Sequence, residues 1–230
     1  MPGPRVRHFS IIMIKCVLFD FDGTLGDTNS GILETFKKTM DILGLERPTD
    51  EAITATIGLP LKQNFLDAVT GISDEMADRC VEVYRKMFIE ETIPTIKFFP
   101  GVAETLESLE EMGIKMAIAT SRTHKTLDRI LDNLGATHYF DRICCADEVV
   151  HHKPAPETVE IVLKHFGLKP SEAIVVGDTT YDIQMGQNAG CRVCGVTWGN
   201  HSREVLSSCT PDFIIDSMTE LTGICSDSMK

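Results

Sequence analysis

Short runs of apolar, strand-forming residues recur along the chain, and most are separated by stretches with helical spacing. These runs cover residues 15–19, 114–119, 142–146, 173–176, 191–196 and 213–215. Between them, apolar positions share one helical face, as in Val102, Leu106, Leu109 and Met112, and Gly113 is predicted to end that helix. Continuous apolar strands that alternate with helices are typical of parallel sheets covered on both faces. The pattern therefore predicts an α/β fold: a Rossmann-like parallel sheet with helices on both faces.

One long segment after the first strand has helical periodicity and no convincing strand pattern. Its apolar stripes run through residues 32–43, 61–69 and 76–87, and Ser73 precedes the third stripe as a plausible N-cap. Glycine and proline residues at 23–26 and 98–101 mark candidate hinges. We therefore predict an α/β core domain of residues 13–27 and 95–230, with an inserted all-helical cap domain of residues 28–94.

Polar residues follow four of the predicted strands. In chain order they are Asp20 and Asp22, then Thr120 and Ser121, then Lys153 in the loop after the third of these strands, and finally Asp178 and Asp182. Ligands of open parallel sheets bind beyond the carboxyl ends of the strands. We therefore expect carboxylates, hydroxyl groups and one ammonium group to meet at a single edge of the sheet.

The chemistry suited to this collection is phosphoryl transfer. Several carboxylates repel one another unless a hard cation such as Mg²⁺ bridges them, and such a cation can hold a phosphate beside a nucleophile. An aspartate can then attack phosphorus and form an aspartyl-phosphate. Alternate residues of an extended chain project to the same side, so Asp22 can serve as acid and base beside Asp20. Lys153 and Thr120 can supply a cation and a hydrogen-bond donor for the phosphate oxygens.

The charge balance limits the expected partners. The 230 residues include 22 basic and 34 acidic ones, and this net charge of −12 disfavours nucleic acid and anionic membranes as partners. No run approaches the roughly 18 apolar residues of a membrane span. The first dozen residues are interpreted as an extension without signal-peptide features, and Met13 is an equally credible start. We expect a cytoplasmic monomer or homodimer with free thiols, and we interpret Cys191 and Cys194 as structural.

The motifs resemble those of a known superfamily. Asp20-Phe-Asp22-Gly-Thr, Thr120-Ser121, Lys153-Pro-Ala-Pro and Gly-Asp178-x-x-x-Asp182 are similar to the four motifs of the haloacid dehalogenase superfamily. The helical insert looks like the small cap of a subclass that includes phosphoglycolate phosphatases, beta-phosphoglucomutases and a pyrophosphatase. Each motif residue then has an implied role: Asp20 as nucleophile and Mg²⁺ ligand, Asp22 as acid–base and as a metal ligand through its carbonyl, Thr120, Ser121 and Lys153 as phosphate binders, Asp178 as a metal ligand, and Asp182 as a supporting residue.

Departures within the superfamily narrow the function. Haloalkanoate dehalogenases and phosphonoacetaldehyde hydrolases lack the second aspartate of the first motif, so Asp22 argues against both activities and against a Schiff-base role for Lys62. Residues 57–61 and Phe65 look more like the caps of phosphoglycolate phosphatases and the pyrophosphatase, whereas Arg122 leaves specificity open. We therefore predict a Mg²⁺-dependent phosphatase for a small phosphorylated metabolite, either a phosphoglycolate-like phosphomonoester or pyrophosphate. The alternatives are a beta-phosphoglucomutase-like phosphomutase and, outside enzymes, a phospho-acceptor switch resembling response-regulator receivers.

Overall fold

The apolar runs form the strands of a parallel sheet in the computed structural model, which describes residues 13–227. The strands are β1 (Cys16–Phe19), β2 (Gly26–Asp27), β3 (Lys97–Phe98), β4 (Lys115–Ala119), β5 (Arg142–Cys144), β6 (Ala173–Gly177), β7 (Arg192–Val196) and β8 (Phe213–Ile215). Six of them make one sheet in the order β5-β4-β1-β6-β7-β8, and every neighbouring pair is parallel. The predicted α/β fold with a parallel sheet is confirmed.

Helices cover both faces of this sheet. They are α1 (Asn29–Leu43), α2 (Asp50–Thr54), α3 (Leu61–Ala68), α4 (Asp74–Met87), α5 (Val102–Glu111), α6 (His124–Leu134), α7 (Glu157–Phe166), α8 (Thr180–Asn188), α9 (Arg203–Ser207) and α10 (Glu220–Asp227). Successive side chains of a strand point to opposite faces. Accordingly, Val17 and Phe19 of β1 belong to one apolar cluster, and Cys16 and Leu18 belong to another.

The segment between β2 and β3, residues 28–96, is helical in the structure, and we call it the helical insertion. It contains α1 to α4, a π-helical turn at Phe88–Thr92 and a 3₁₀ turn at Ile93–Thr95. Ser73 caps α4 as predicted, because its hydroxyl accepts a hydrogen bond from the backbone N–H of Met76 at 3.1 Å. The division into domains at residues 28 and 94 stays a prediction.

An aromatic stack holds the helical insertion together. The ring of Phe36 lies 4.2 Å from that of Phe65, and Tyr84 contacts Phe65 and Phe88 at 6.0 and 5.5 Å between ring centroids. At its two ends, β2 and β3 pair antiparallel, with Gly26 opposite Phe98. This short ribbon was not predicted, and it joins the two connections at which the chain leaves and re-enters the sheet.

Other predictions from the sequence concern the end of the third strand, the cysteines and the chain's N-terminus. The third predicted strand ends at Cys144 rather than Ala146, because Ala146–Glu148 turns into a 3₁₀ helix and the Glu148 side chain accepts a hydrogen bond from the N–H of Cys145. All eight cysteines are free, and burial raises the pKa of Cys191 to about 12. The predicted N-terminal extension lies outside the described residues. No helix within residues 13–227 has the length and apolar character needed to span a membrane.

Candidate active site

The carboxyl ends of the central strands bring the polar residues together. Phe19, the last residue of β1, pairs with Ile118 of β4 and with Val176 of β6. The residues that follow these strands therefore leave the sheet at one edge. Carboxylate oxygens of Asp20, Asp178 and Asp182 all lie within 4.8 Å of one another. The expected convergence of three acidic side chains is present at this edge.

Lys153 lies inside this acidic cluster. Its ammonium group donates hydrogen bonds to Oδ1 of Asp20 and to Oδ1 of Asp182, each at 2.6 Å, and its side chain is only 2% exposed. The other oxygen of Asp182 accepts hydrogen bonds from the backbone N–H and the hydroxyl of Thr179, at 3.0 and 2.7 Å. Both oxygens of Asp182 are thus occupied, so this residue can position Lys153. An ammonium group has three N–H donors, so one N–H of Lys153 remains for a ligand.

Asp178 is held by two residues that have no role predicted from the sequence, Thr24 and Asn200. Oδ2 of Asp178 accepts hydrogen bonds from the backbone N–H and the side-chain amide of Asn200, at 2.7 and 2.8 Å. Oδ1 accepts from the hydroxyl of Thr24 at 3.1 Å. Gly23 has a φ of +79°, and a Cβ at this position would collide with the Asp178 carboxylate. The chain therefore packs tightly around this carboxylate and fixes its direction.

The electrostatics of the cluster suit a divalent cation. Burial, together with the neighbouring Asp182, raises the pKa of Asp178 to about 7. Burial also raises the pKa of Asp20 well above its ordinary value, and the Lys153 ammonium opposes this rise. Three carboxylates and one ammonium leave an excess of negative charge that a hard divalent cation would offset. Since the ligands on offer are all carboxylate oxygens, the residues present fit Mg²⁺.

Asp22 lies beside this cluster in a different set of contacts. Its Oδ2 accepts a hydrogen bond from Nε of Arg122 at 2.6 Å, and its Oδ1 accepts from Nη2 of Arg122 at 2.7 Å. The hydroxyl of Thr28 also donates to Oδ1 of Asp22, at 2.6 Å. Its carboxylate therefore faces Arg122 and Thr28, and the expected metal contact of Asp22 involves only its backbone carbonyl.

The two hydroxyl residues after β4 have different surroundings. Thr120 is buried, and its hydroxyl oxygen accepts a hydrogen bond from the backbone N–H of Arg122 at 3.2 Å. The hydroxyl of Ser121 instead donates to the carbonyl of Gly58 in the helical insertion, at 2.6 Å. The Ser121 side chain thus connects the sheet edge to the insertion, and its phosphate-binding role stays a prediction.

A cleft opens between this sheet edge and the helical insertion. Residues of the sheet side that line it include Asp20, Asp22, Ser121 and Arg122. Residues of the insertion that line it include Gly58, Lys62, Tyr84 and Arg85. Lys153, Asp178 and Asp182 are buried. A small molecule in the cleft would therefore reach Asp20 and the side chains of Arg85 and Arg122.

Comparisons with known proteins agree with this architecture. The family model described as haloacid dehalogenase-like hydrolase matches residues 17–196. A protein named probable phosphatase IndB, from Dickeya dadantii, is 36% identical over 221 residues, which cover 95% of this chain and 96% of that protein. Pyrophosphatase PpaX from Bacillus velezensis is 34% identical over 211 residues, which cover 92% and 96%. The solved structure of a haloacid dehalogenase-like family hydrolase from Streptococcus pneumoniae has a TM-score of 0.82 at 28% identity, and covers 92% of this chain and 98% of that one. The likeness extends over the sheet and the helical insertion alike.

Proposed function

The chain belongs to the haloacid dehalogenase-like hydrolase family, and we propose that it is a Mg²⁺-dependent phosphatase that acts on a small phosphorylated metabolite. Relatives named phosphatase and pyrophosphatase support the hydrolase class. The observation that carries the proposal is the buried cluster of Asp20, Asp178, Asp182 and Lys153 at the sheet edge, beside a cleft that Asp20 lines.

Asp20 is the proposed nucleophile. Its Oδ1 accepts the hydrogen bond from Lys153, while its Oδ2 has no hydrogen bond to any residue in the described part of the chain. This oxygen can form a bond to phosphorus as the bond from phosphorus to the leaving oxygen breaks, which yields an aspartyl-phosphate. The remaining N–H of Lys153 can donate to a phosphate oxygen during this step, and so can the hydroxyl of Thr120.

Asp22 is the proposed acid and base. In its protonated form it gives its proton to the leaving oxygen, and as a carboxylate it then takes a proton from the water that attacks the aspartyl-phosphate. Free phosphate and the original Asp20 carboxylate result. Asp20, Asp178 and the backbone carbonyl of Asp22 would hold a Mg²⁺ ion, which offsets the negative charge of the carboxylates and of the phosphoryl group when bound.

The substrate proposed for the cleft is a phosphoglycolate-like phosphomonoester or pyrophosphate. The cleft is lined by the cationic side chains of Lys62, Arg85 and Arg122, which can contact an anionic substrate although the whole chain carries a net charge of −12. The name of the Bacillus velezensis relative, a pyrophosphatase, supports the second of these substrates.

Phosphate release from p-nitrophenyl phosphate, measured in EDTA and after Mg²⁺ is restored, tests the proposal. We expect wild-type protein to be active with Mg²⁺ only, and Asp20→Asn to lose at least about a thousandfold in rate, as is typical when a nucleophile is removed. Asp132→Asn, the same change at an exposed aspartate on α6, is the matched control. Activity of Asp20→Asn close to that of wild type would contradict the assignment, as would full wild-type activity in EDTA.

A further inference from the structure

The Arg122 side chain contacts both Asp22 and the helical insertion. Its Nε and Nη2 donate to the two oxygens of Asp22 at 2.6 and 2.7 Å, although the two residues are separated by 100 positions in the chain. The side chains of Arg122 and Asp22 are 10% and 14% exposed. The guanidinium also lies over the ring of Phe88, 4.4 Å from its centroid. These contacts hold the guanidinium in one orientation, with one edge against Asp22 and one face against the insertion.

The opposite edge of the guanidinium has no protein partner in the described chain. A guanidinium carries five N–H groups, and Asp22 accepts one from Nε and one from Nη2. The two N–H groups of Nη1 and the second N–H of Nη2 have no acceptor among residues 13–227. Arg122 lines the cleft. The geometry therefore presents a fork of N–H donors, which matches a carboxylate or a phosphate in shape and charge.

We propose that Arg122 determines substrate specificity by binding a second anionic group on the leaving group of the substrate. This inference rests on the proposed phosphatase function. Asp22 protonates the leaving oxygen in that mechanism, so the atoms next to the leaving oxygen lie beside Asp22 and hence beside Arg122. A carboxylate or phosphate attached there meets the Nη1–Nη2 edge, whereas an uncharged leaving group leaves those donors without a partner.

The charges around the cleft favour this arrangement. The acidic side chains that line the cleft are Asp20, Asp22 and Asp147. Asp20 is paired with Lys153, and Asp22 is paired with Arg122 itself. From the insertion, Lys62 lines the cleft while its ammonium pairs with Asp74 and Asp78, and Arg85 lines it without an ion pair among residues 13–227. The preferred substrate class is therefore a phosphate ester or anhydride whose leaving group carries its own negative charge close to the scissile oxygen.

A matched pair of substrates tests the role of Arg122. Phosphoglycolate carries a carboxylate where ethyl phosphate carries a methyl group, and the two compounds are otherwise the same. Pyrophosphate is a third substrate, in which the leaving group is itself a phosphate. We expect kcat/KM of Arg122→Met to fall by about 10- to 150-fold more for phosphoglycolate or pyrophosphate than for ethyl phosphate, the range for a lost hydrogen bond to a charged group. Arg122→Lys, which keeps the charge without the fork, should recover part of this difference. Arg79→Met, at an exposed arginine on α4, is the control.

A binding measurement covers the case in which Arg122→Met loses all turnover. Phosphonoacetate and ethylphosphonate are not hydrolysed and again differ in one carboxylate, so their dissociation constants can be measured by calorimetry with Mg²⁺ present. We expect wild type to bind phosphonoacetate more tightly, and we expect this preference to disappear in Arg122→Met. If wild type hydrolyses these substrates and Arg122→Met keeps the same preference for the anionic ones, the role of Arg122 alone is overturned. Wild type that hydrolyses none of them and binds neither phosphonate would overturn the proposed function, and this inference with it.

Discussion

Replacing Lys153 by methionine removes the buried cation of the active-site cluster and keeps most of the side-chain volume. The ammonium of Lys153 donates to Asp20 and to Asp182, each at 2.6 Å, from a side chain that is 2% exposed. After the replacement, two buried carboxylates lose their counter-charge while Asp178 remains close to them. The free energy needed to remove these carboxylates from water is then no longer offset by the attraction of the ammonium group, so the folded state is destabilised.

The size of this effect follows from the burial. Removal of one partner from a buried ion pair costs about 3–5 kcal/mol, a large part of the roughly 5–15 kcal/mol by which a typical protein is stable. For a chain of this length, about 2–4 °C of melting temperature corresponds to each kcal/mol. We therefore expect Lys153→Met to melt about 6–20 °C below wild type in metal-free buffer.

Urea denaturation of Lys153→Met and of Lys15→Met in EDTA measures the effect. Lys15 forms an ion pair of the same 2.6 Å length with Glu172, but its side chain is 45% exposed. An exposed pair contributes about 0–1 kcal/mol, so Lys15→Met should unfold close to wild type. Equal losses of unfolding free energy in the two variants would refute the reasoning, because the two ion pairs of Lys153 are buried and the ion pair of Lys15 is exposed, although all three have the same length. A second check is Lys153→Met combined with Asp182→Asn, in which removal of one unpaired carboxylate should recover part of the loss.

Two further predictions concern pH and the contact between the sheet and the insertion. Since the pKa of Asp178 is raised from 3.8 to about 7, its stabilising contribution to the metal-free protein is fully present below pH 3.8 and is lost as the pH rises through about 7. The unfolding free energy of wild type minus that of Asp178→Asn should therefore fall across this range, and a flat difference would contradict it. Ser121→Ala removes the 2.6 Å hydrogen bond to Gly58 and should cost about 1 kcal/mol in urea denaturation. Ser108→Ala, in which an exposed hydroxyl is lost from α5, should cost less, and equal costs would count against the contact.

The strands and the place of the site could be predicted from local patterns. An apolar run such as Cys16–Phe19 is buried on both faces, so its composition alone indicates a central strand. Asp20 and Asp178 directly follow such runs, and parallel strands end at the same edge of a sheet, so their proximity follows from the topology. By contrast, β5 was predicted two residues too long, because a 3₁₀ turn and the Glu148 side chain compete there with the strand.

The partners of the site residues depend on the packed structure. Asn200 follows Asp178 by 22 residues in a loop, and no periodicity or motif points to its two hydrogen bonds with that carboxylate. The antiparallel pairing of β2 with β3 also could not be predicted from local sequence, since it depends on where the helical insertion begins and ends.

The chain by itself therefore determined the order of strands and helices, the helical insertion and the residues that reach the edge of the sheet, because burial and periodicity are local properties. Only the tertiary structure decided that Lys153 pairs with Asp20 and Asp182, and that Arg122 turns one edge to Asp22 and leaves the other to the cleft. The physical reason is that a hydrogen bond depends on distances of a few tenths of an ångström between groups that are distant in the chain, and only the packing of the strands, loops and helices around the sheet edge sets those distances.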